Sequence, residues 1–154
     1  MVQTYSNNNN IYSVDMMFAY INLYKPDYTI INMNLLYNSL EYKGWGDPKK
    51  KISYSALDVL NNPKKKKYKK EIDRINNADL RYPIIINKHN NNYIIVDGIH
   101  RLTKSYLDNK KTIKAYIFPK DIMKKFLINK TGNWTKVNKI QIYDFITLFY
   151  TRFK

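Results

Sequence analysis

The chain contains no cysteine, which excludes a disulfide framework, a thiolate metal site and a cysteine nucleophile. No apolar run approaches the ~18 residues that mark a membrane span, so no membrane partner is expected. Met1 to Asn10 is polar and lacks the basic flank and apolar stretch of a signal peptide. A soluble, intracellular, non-secreted location is therefore expected. Acidic side chains are few, 12 against 27 Lys plus Arg, which leaves a formal charge of +15. Arginine and alanine are scarce too, four of each in 154 residues.

A charge of this sign and size points to nucleic acid or another polyanion as partner. The scarcity of Arg and Ala qualifies that reading. Lys, Asn, Ile and Tyr make up about half the chain; all four have A/T-rich codons, and Arg and Ala mostly do not. Part of the lysine excess is thus a mark of the coding sequence. The charge is also uneven: residues 1–46 hold Lys25 and Lys43 against Asp15, Asp27 and Glu41, and the positive excess lies wholly beyond them. Apolar residues are 44% and aromatics 15% of the chain, too many for a disordered polymer. The length suits one domain with a sizeable core.

Val14 to Tyr24 carries apolar residues on nearly every side and predicts a short buried helix. Tyr28 to Met33 is rich in β-branched residues and predicts a strand. After a glycine-bearing loop, Tyr42 to Pro48, Ser55 is placed to cap a helix ending at Leu60, before Asn61-Asn62-Pro63. Lys64 to Asn77 predicts a helix with Tyr68, Ile72 and Ile75 on its inner face. Pro83–Asn87 and Tyr93–Val96 flank an asparagine turn and predict a hairpin. A helix is expected over Ile99–Leu107, a strand over Thr112–Phe118, and helices over Asp121–Ile128 and Gln141–Phe153. A hairpin among alternating strands and helices indicates a small mixed α/β (α+β) domain, not a doubly wound parallel sheet. The tail helix, with Ile142, Phe145, Ile146, Phe149 and Tyr150, is apolar enough to be expected to pack intramolecularly.

The segment Tyr93-Ile94-Ile95-Val96-Asp97-Gly98-Ile99-His100-Arg101-Leu102 carries the chemistry. A strand delivers the chain to a glycine turn and a helix starts at once. Free backbone N–H groups and the positive end of the helix dipole make such a start an anion site. His100 and Arg101 lie in the first turn, where Arg101 can offer two parallel hydrogen bonds to phosphate, and Lys104 follows one turn later. Asp97 can hold a metal ion, orient His100 or accept a proton. The same residues also suit an ordinary strand–turn–helix with a structural histidine, and the residue types alone leave both readings open.

Asp97-Gly98-Ile99-His100-Arg101-Leu102, with the short helix, the Asn-Lys turn and the strand that follow, resembles the core motif of the ParB/sulfiredoxin superfamily. The likeness extends to ParB-like proteins of large DNA viruses. It is good from Leu80 to Phe118, weaker from Tyr28 to Asn77, and absent from both ends. It implies a ParB/sulfiredoxin-like domain over residues 28–120, an N-terminal extension over 1–27, and a C-terminal helical extension over 121–154 packed on that domain. It also implies a nucleotide-phosphate site at Gly98, His100, Arg101 and Lys104. Sulfiredoxins place a cysteine where this chain has Ile99, so sulfinic acid reduction is not expected. The doubled arginine and helix-turn-helix domain of chromosome-partitioning ParB proteins are missing as well. The best-matched branch resembles free serine kinases, with a D-G-x-x-R turn and an upstream glutamate as base. That resemblance implies a nucleotide-dependent phosphotransferase or nucleotide hydrolase using Mg2+ with ATP or another nucleotide. Glu41, Asp97 and His100 would be the catalytic groups, with Asp97 also on the metal. Glu71, the other glutamate, is expected to pair with lysines three or four residues away on its own helix.

Lys64, Lys65, Lys66, Lys67, Lys69 and Lys70 form the densest basic cluster. They suit either a nucleic-acid backbone, bound without sequence reading, or a solvated helix face. The alternative function is therefore sequence-nonspecific nucleic-acid binding without catalysis. Tyr42, Trp45 and Tyr54 are placed either to stack on a base or to pack.

Overall fold

The structure, a computed structural model, describes residues 3–153. It is mixed α/β. The chain divides into two compact units: the middle, from Tyr28 to Ile117, and a second made by the two ends, up to Asp27 and from Phe118.

The N-terminal stretch forms a hairpin of β1 (Thr4–Asn7) and β2 (Asn10–Ser13). Its turn works because Asn8 takes a left-handed conformation, φ 55°, which Asn tolerates better than most side chains. Helix α1 (Val14–Tyr24) follows, matching its predicted span, with the buried Ser13 hydroxyl accepting from Met16 N–H at 3.1 Å.

The middle unit runs β3 (Thr29–Asn32), α2 (Tyr37–Glu41), β4 (Trp45–Asp47), β5 (Ile52–Tyr54), α3 (Ala56–Asn61), α4 (Lys69–Asn76), β6 (Ile84–His89), β7 (Asn92–Asp97), α5 (Ile99–Leu107) and β8 (Thr112–Ile117). Four strands make one sheet in the order β3-β8-β6-β7; β6 and β8 are parallel, and both outer pairs are antiparallel. Helix α5 therefore carries the chain from edge strand β7 past β6 to β8. Ile84 and Ile86 enter a core with Ile31, Leu36, Leu40 and Leu102. Ile85 is equally buried on the opposite face of the strand, as the two-residue strand period requires.

Two differences from the sequence expectation matter for the site. The glycine loop contains a second hairpin, β4 with β5. A Cβ on Gly46, whose φ is +126°, would lie 2.2 Å from the Ile52 carbonyl oxygen. And α4 begins five residues later than predicted, after a single 3₁₀ turn over Lys66–Tyr68. Four consecutive lysines at the positive end of a helix dipole oppose helix initiation there, whereas Glu71 in the first turn favours it. Helix α3 begins as expected, Ser55 and Asp58 forming a reciprocal capping box.

The C-terminal stretch supplies α6 (Lys120–Lys125), β9 (Leu127–Asn129), α7 (Trp134–Val137) and α8 (Ile142–Arg152). Helix α6 ends earlier than predicted because β9 joins β2 as third strand of the N-terminal sheet. Phe145, Phe149 and Phe153 are buried, and Phe153 lies 5.5 Å from Phe126 and 5.2 Å from Tyr20, ring centre to ring centre. The residues expected to be two separate extensions thus pack with each other.

Candidate functional site

Strand β7 ends at Asp97, and Gly98 turns the chain into α5 with φ +104°. Only glycine suits this position: a Cβ would sit 2.6 Å from Ile84 Cγ2 and 3.0 Å from Arg101 Nη2. Gly98 has no side chain to cap the helix, so the first N–H groups of α5 gain no side-chain cap from it.

His100, in that first turn, reaches α4. Its Nε2 lies 2.6 Å from Glu71 Oε2, with only 24% of the His100 side chain and 11% of the Glu71 side chain exposed. Trp45 of β4 covers the imidazole, ring centres 4.8 Å apart and planes 19° from parallel. The β4–β5 hairpin and α4 thus both serve to hold one histidine. With Glu71 as carboxylate, Nε2–H donates to it; in the neutral imidazole the lone pair is then on Nδ1. Tyr54 stands near: burial raises its hydroxyl pKa, and the Glu71 charge adds to the rise.

This arrangement departs from the expectation for the two glutamates. Glu41 is exposed at the end of α2, and the carboxylate bonded to His100 is Glu71. Nor does Glu71 pair with its neighbouring lysines, because it is buried on the inner side of α4, 8% exposed. The signal was present in the sequence. Tyr68, Glu71 and Ile75 share one face at helical spacing, and a carboxylate on an apolar face needs a partner.

Arg101 is half-buried and engaged by its neighbours. Its Nη2 donates to Asp97 Oδ2 at 2.7 Å, and Nη1 donates to the Pro83 carbonyl at 2.9 Å and the Tyr82 carbonyl at 3.3 Å. Asp97 therefore orients Arg101 rather than His100, and a phosphate reaching this guanidinium has to compete with a carboxylate. Lys104 is diverted altogether: its Nζ donates to the carbonyls of Ala78 at 2.9 Å and Asn76 at 3.1 Å, closing the end of α4 where a cation is favoured by the dipole. The sequence places it one turn from Arg101 but cannot show that the end of α4 lies within its reach.

Of the side chains at the turn, Asp97 is the carboxylate that would hold Mg2+ together with a nucleotide's phosphates. Asp97 already gives one oxygen to Arg101, and among the described residues no group of three His, Cys, Asp or Glu side chains could hold a metal ion.

The aromatics divide. Trp45 covers His100; Tyr54 packs edge-on to Tyr68 at 4.8 Å between ring centres; and Tyr42 is exposed. Lys64, Lys65, Lys66, Lys67, Lys69 and Lys70 are all exposed around the buried Tyr68, and Lys69 pairs with Asp73 at 3.2 Å. Among the described residues no helix is long and apolar enough to cross a membrane.

No family model, curated protein or solved structure matches this chain.

Proposed function

We propose that the protein binds the phosphate of a nucleotide at the start of α5 and acts on it as a phosphotransferase or nucleotide hydrolase of ParB/sulfiredoxin-like type. One observation carries this reading. A histidine in the first turn of a helix is bonded to a buried glutamate at 2.6 Å and covered by a tryptophan, in the arrangement that fixes a catalytic base. The N–H groups at the helix start receive phosphate oxygens. His100 takes the proton of the attacking hydroxyl or water on Nδ1, and Glu71 stabilises the imidazolium that forms. His100, supported by Glu71, thus takes the part of base that the resemblance implied for Glu41. Arg101 and Asp97 set the turn, and Arg101 adds positive charge beside the phosphate. In phosphoryl transfer, positioning and charge stabilisation supply most of the rate.

The test is a thermal-shift screen of the full chain with ATP, ADP, CTP and GTP, with and without Mg2+, followed by phosphate-release and transfer assays. Stabilisation by at least one nucleotide is expected, with turnover lost in Glu71→Gln while nucleotide binding persists. Absence of any shift at millimolar nucleotide sinks the reading.

A second reading, sequence-nonspecific nucleic-acid binding, is favoured by the exposure of all six lysines between Lys64 and Lys70. Neutralising Lys64, Lys65, Lys66 and Lys67 would then weaken DNA or RNA binding equally on all sequences and flatten its salt dependence. Undetectable binding at low salt removes it.

A further inference from the structure

We propose that a pocket at the far end of α5 is a binding site for one nucleotide unit, either a free nucleoside monophosphate or one residue of a single strand. Nine residues of helix, about 13 Å, separate it from Gly98, so it is independent of the function proposed above. The pocket has a volume of about 160 Å3 and opens to solvent. Its walls include Asn32, Asn34, Tyr37, Tyr106, Lys110 and Lys111, and the buried Met33 also lines it.

Three features select this ligand chemistry. Tyr37 and Tyr106 meet edge to face, 6.0 Å between ring centres and 87° between planes, yet remain 44% and 38% exposed. A paired aromatic wall left in solvent suits a flat heterocycle, because every base offers a π-face to stack. Lys110 and Lys111 supply two exposed positive charges, and none of the lining residues is acidic; the pocket therefore attracts an anion. Asn32 Oδ1 accepts from the Asn34 backbone N–H at 2.9 Å, which leaves the Asn32 amide group to donate. Carboxamides beside an aromatic wall match the mixed donor and acceptor edge of a base. A flat ring, hydrogen-bonding edges and a phosphate together describe a nucleotide.

Pockets that enclose drug-sized ligands start at about 300 Å3. This one accommodates a base or a phosphate with the sugar at its mouth, which suits a single unit of a chain as well as a free nucleotide.

The experiment is an amide chemical-shift titration of the full chain with AMP, adenosine, inorganic phosphate and a short single-stranded oligoadenylate. AMP should move the amides of Tyr37, Tyr106, Lys110 and Lys111, and bind more tightly than adenosine or phosphate. Lys110→Gln with Lys111→Gln should weaken AMP about tenfold, and Tyr106→Leu should weaken AMP and adenosine together. Tighter binding of the oligonucleotide through the same amides assigns the site to a single strand; equal binding assigns it to the free nucleotide. The proposal is overturned if AMP leaves these amides unmoved, if inorganic phosphate binds as well as AMP, or if the paired lysine change has no effect. Shifts confined to Gly98–Arg101 would overturn it too, while supporting the other site.

Discussion

The bond between His100 and Glu71 can be tested by replacing its partners singly and together. Glu71→Leu leaves the imidazole without its carboxylate; His100→Phe keeps a ring under Trp45 but leaves the carboxylate unpaired. Removing one partner of a hydrogen bond to a charged group costs about 1.5–3 kcal/mol, more when the other partner is left buried and unsatisfied, and exposed pairs contribute about 0.2–1 kcal/mol. With side chains 11% and 24% exposed, each single change should cost about 2–3 kcal/mol. The double variant replaces both polar groups by apolar ones of similar shape, which is close to neutral when packing is kept. It should therefore be no less stable than either single variant, with a coupling of at least about 2 kcal/mol, more than a tenfold effect on the folding constant. Urea denaturation of the four proteins at neutral pH measures this. Additive costs, agreeing within about 0.5 kcal/mol, would refute the pairing and with it the basis for His100 as a held base.

Three further outcomes follow from the same unit. Gly98→Ala forces a Cβ to 2.6 Å from Ile84 Cγ2, a fully buried side chain, at φ +104°; overpacking and backbone strain together should cost about 3 kcal/mol, read as a melting point lower by about 10 °C. Gly44→Ala, with ordinary φ and only the Tyr42 ring nearby, should change it far less, and equal effects would reject the account. Lys104→Met keeps the apolar stem but loses both bonds to the carbonyls of Asn76 and Ala78; a loss of about 1 kcal/mol is expected, with faster amide exchange in the last turn of α4, and unchanged exchange there would contradict the capping role. Hydrogen bonds from Arg81 hold the Asp79 carboxyl at about 2 instead of 3.8. A lowered carboxyl pKa contributes stability above the unfolded value and loses it as pH falls through the folded one. The advantage of the native chain over Arg81→Ala should thus be full above pH 3.8 and fade toward pH 2, and an NMR titration that leaves Asp79 unmoved in the variant would disprove the pairing.

Much of the architecture follows from patterns local in the chain. Val14–Tyr24 and Ile99–Leu107 are helices over their predicted spans because apolar spacing and flanking turn residues act within a few positions. The β6–β7 hairpin follows for the same reason, from β-branched runs around an asparagine turn. The Asp97–Gly98 turn is also legible, since a strand ending in Asp-Gly before a helical run admits few backbone paths. Strands β4 and β9 are not legible: each is three residues long, too short for a period-two pattern to register, and β9 exists only because β2 is there to pair with.

The sequence by itself determined that this is a cysteine-free, lysine-rich mixed α/β protein with Asp97, Gly98, His100 and Arg101 gathered at the turn from β7 into α5. Tertiary structure alone decided what those residues touch. Glu71 lies 29 positions from His100, and nothing local relates them until α4 packs against α5. Arg101 and Lys104 face the same limit. From their charge they read as free phosphate ligands, and folding places carbonyls and a carboxylate within their reach. A half-buried cation takes the oxygen atoms beside it, because leaving its hydrogen bonds unmade costs more than any local preference returns.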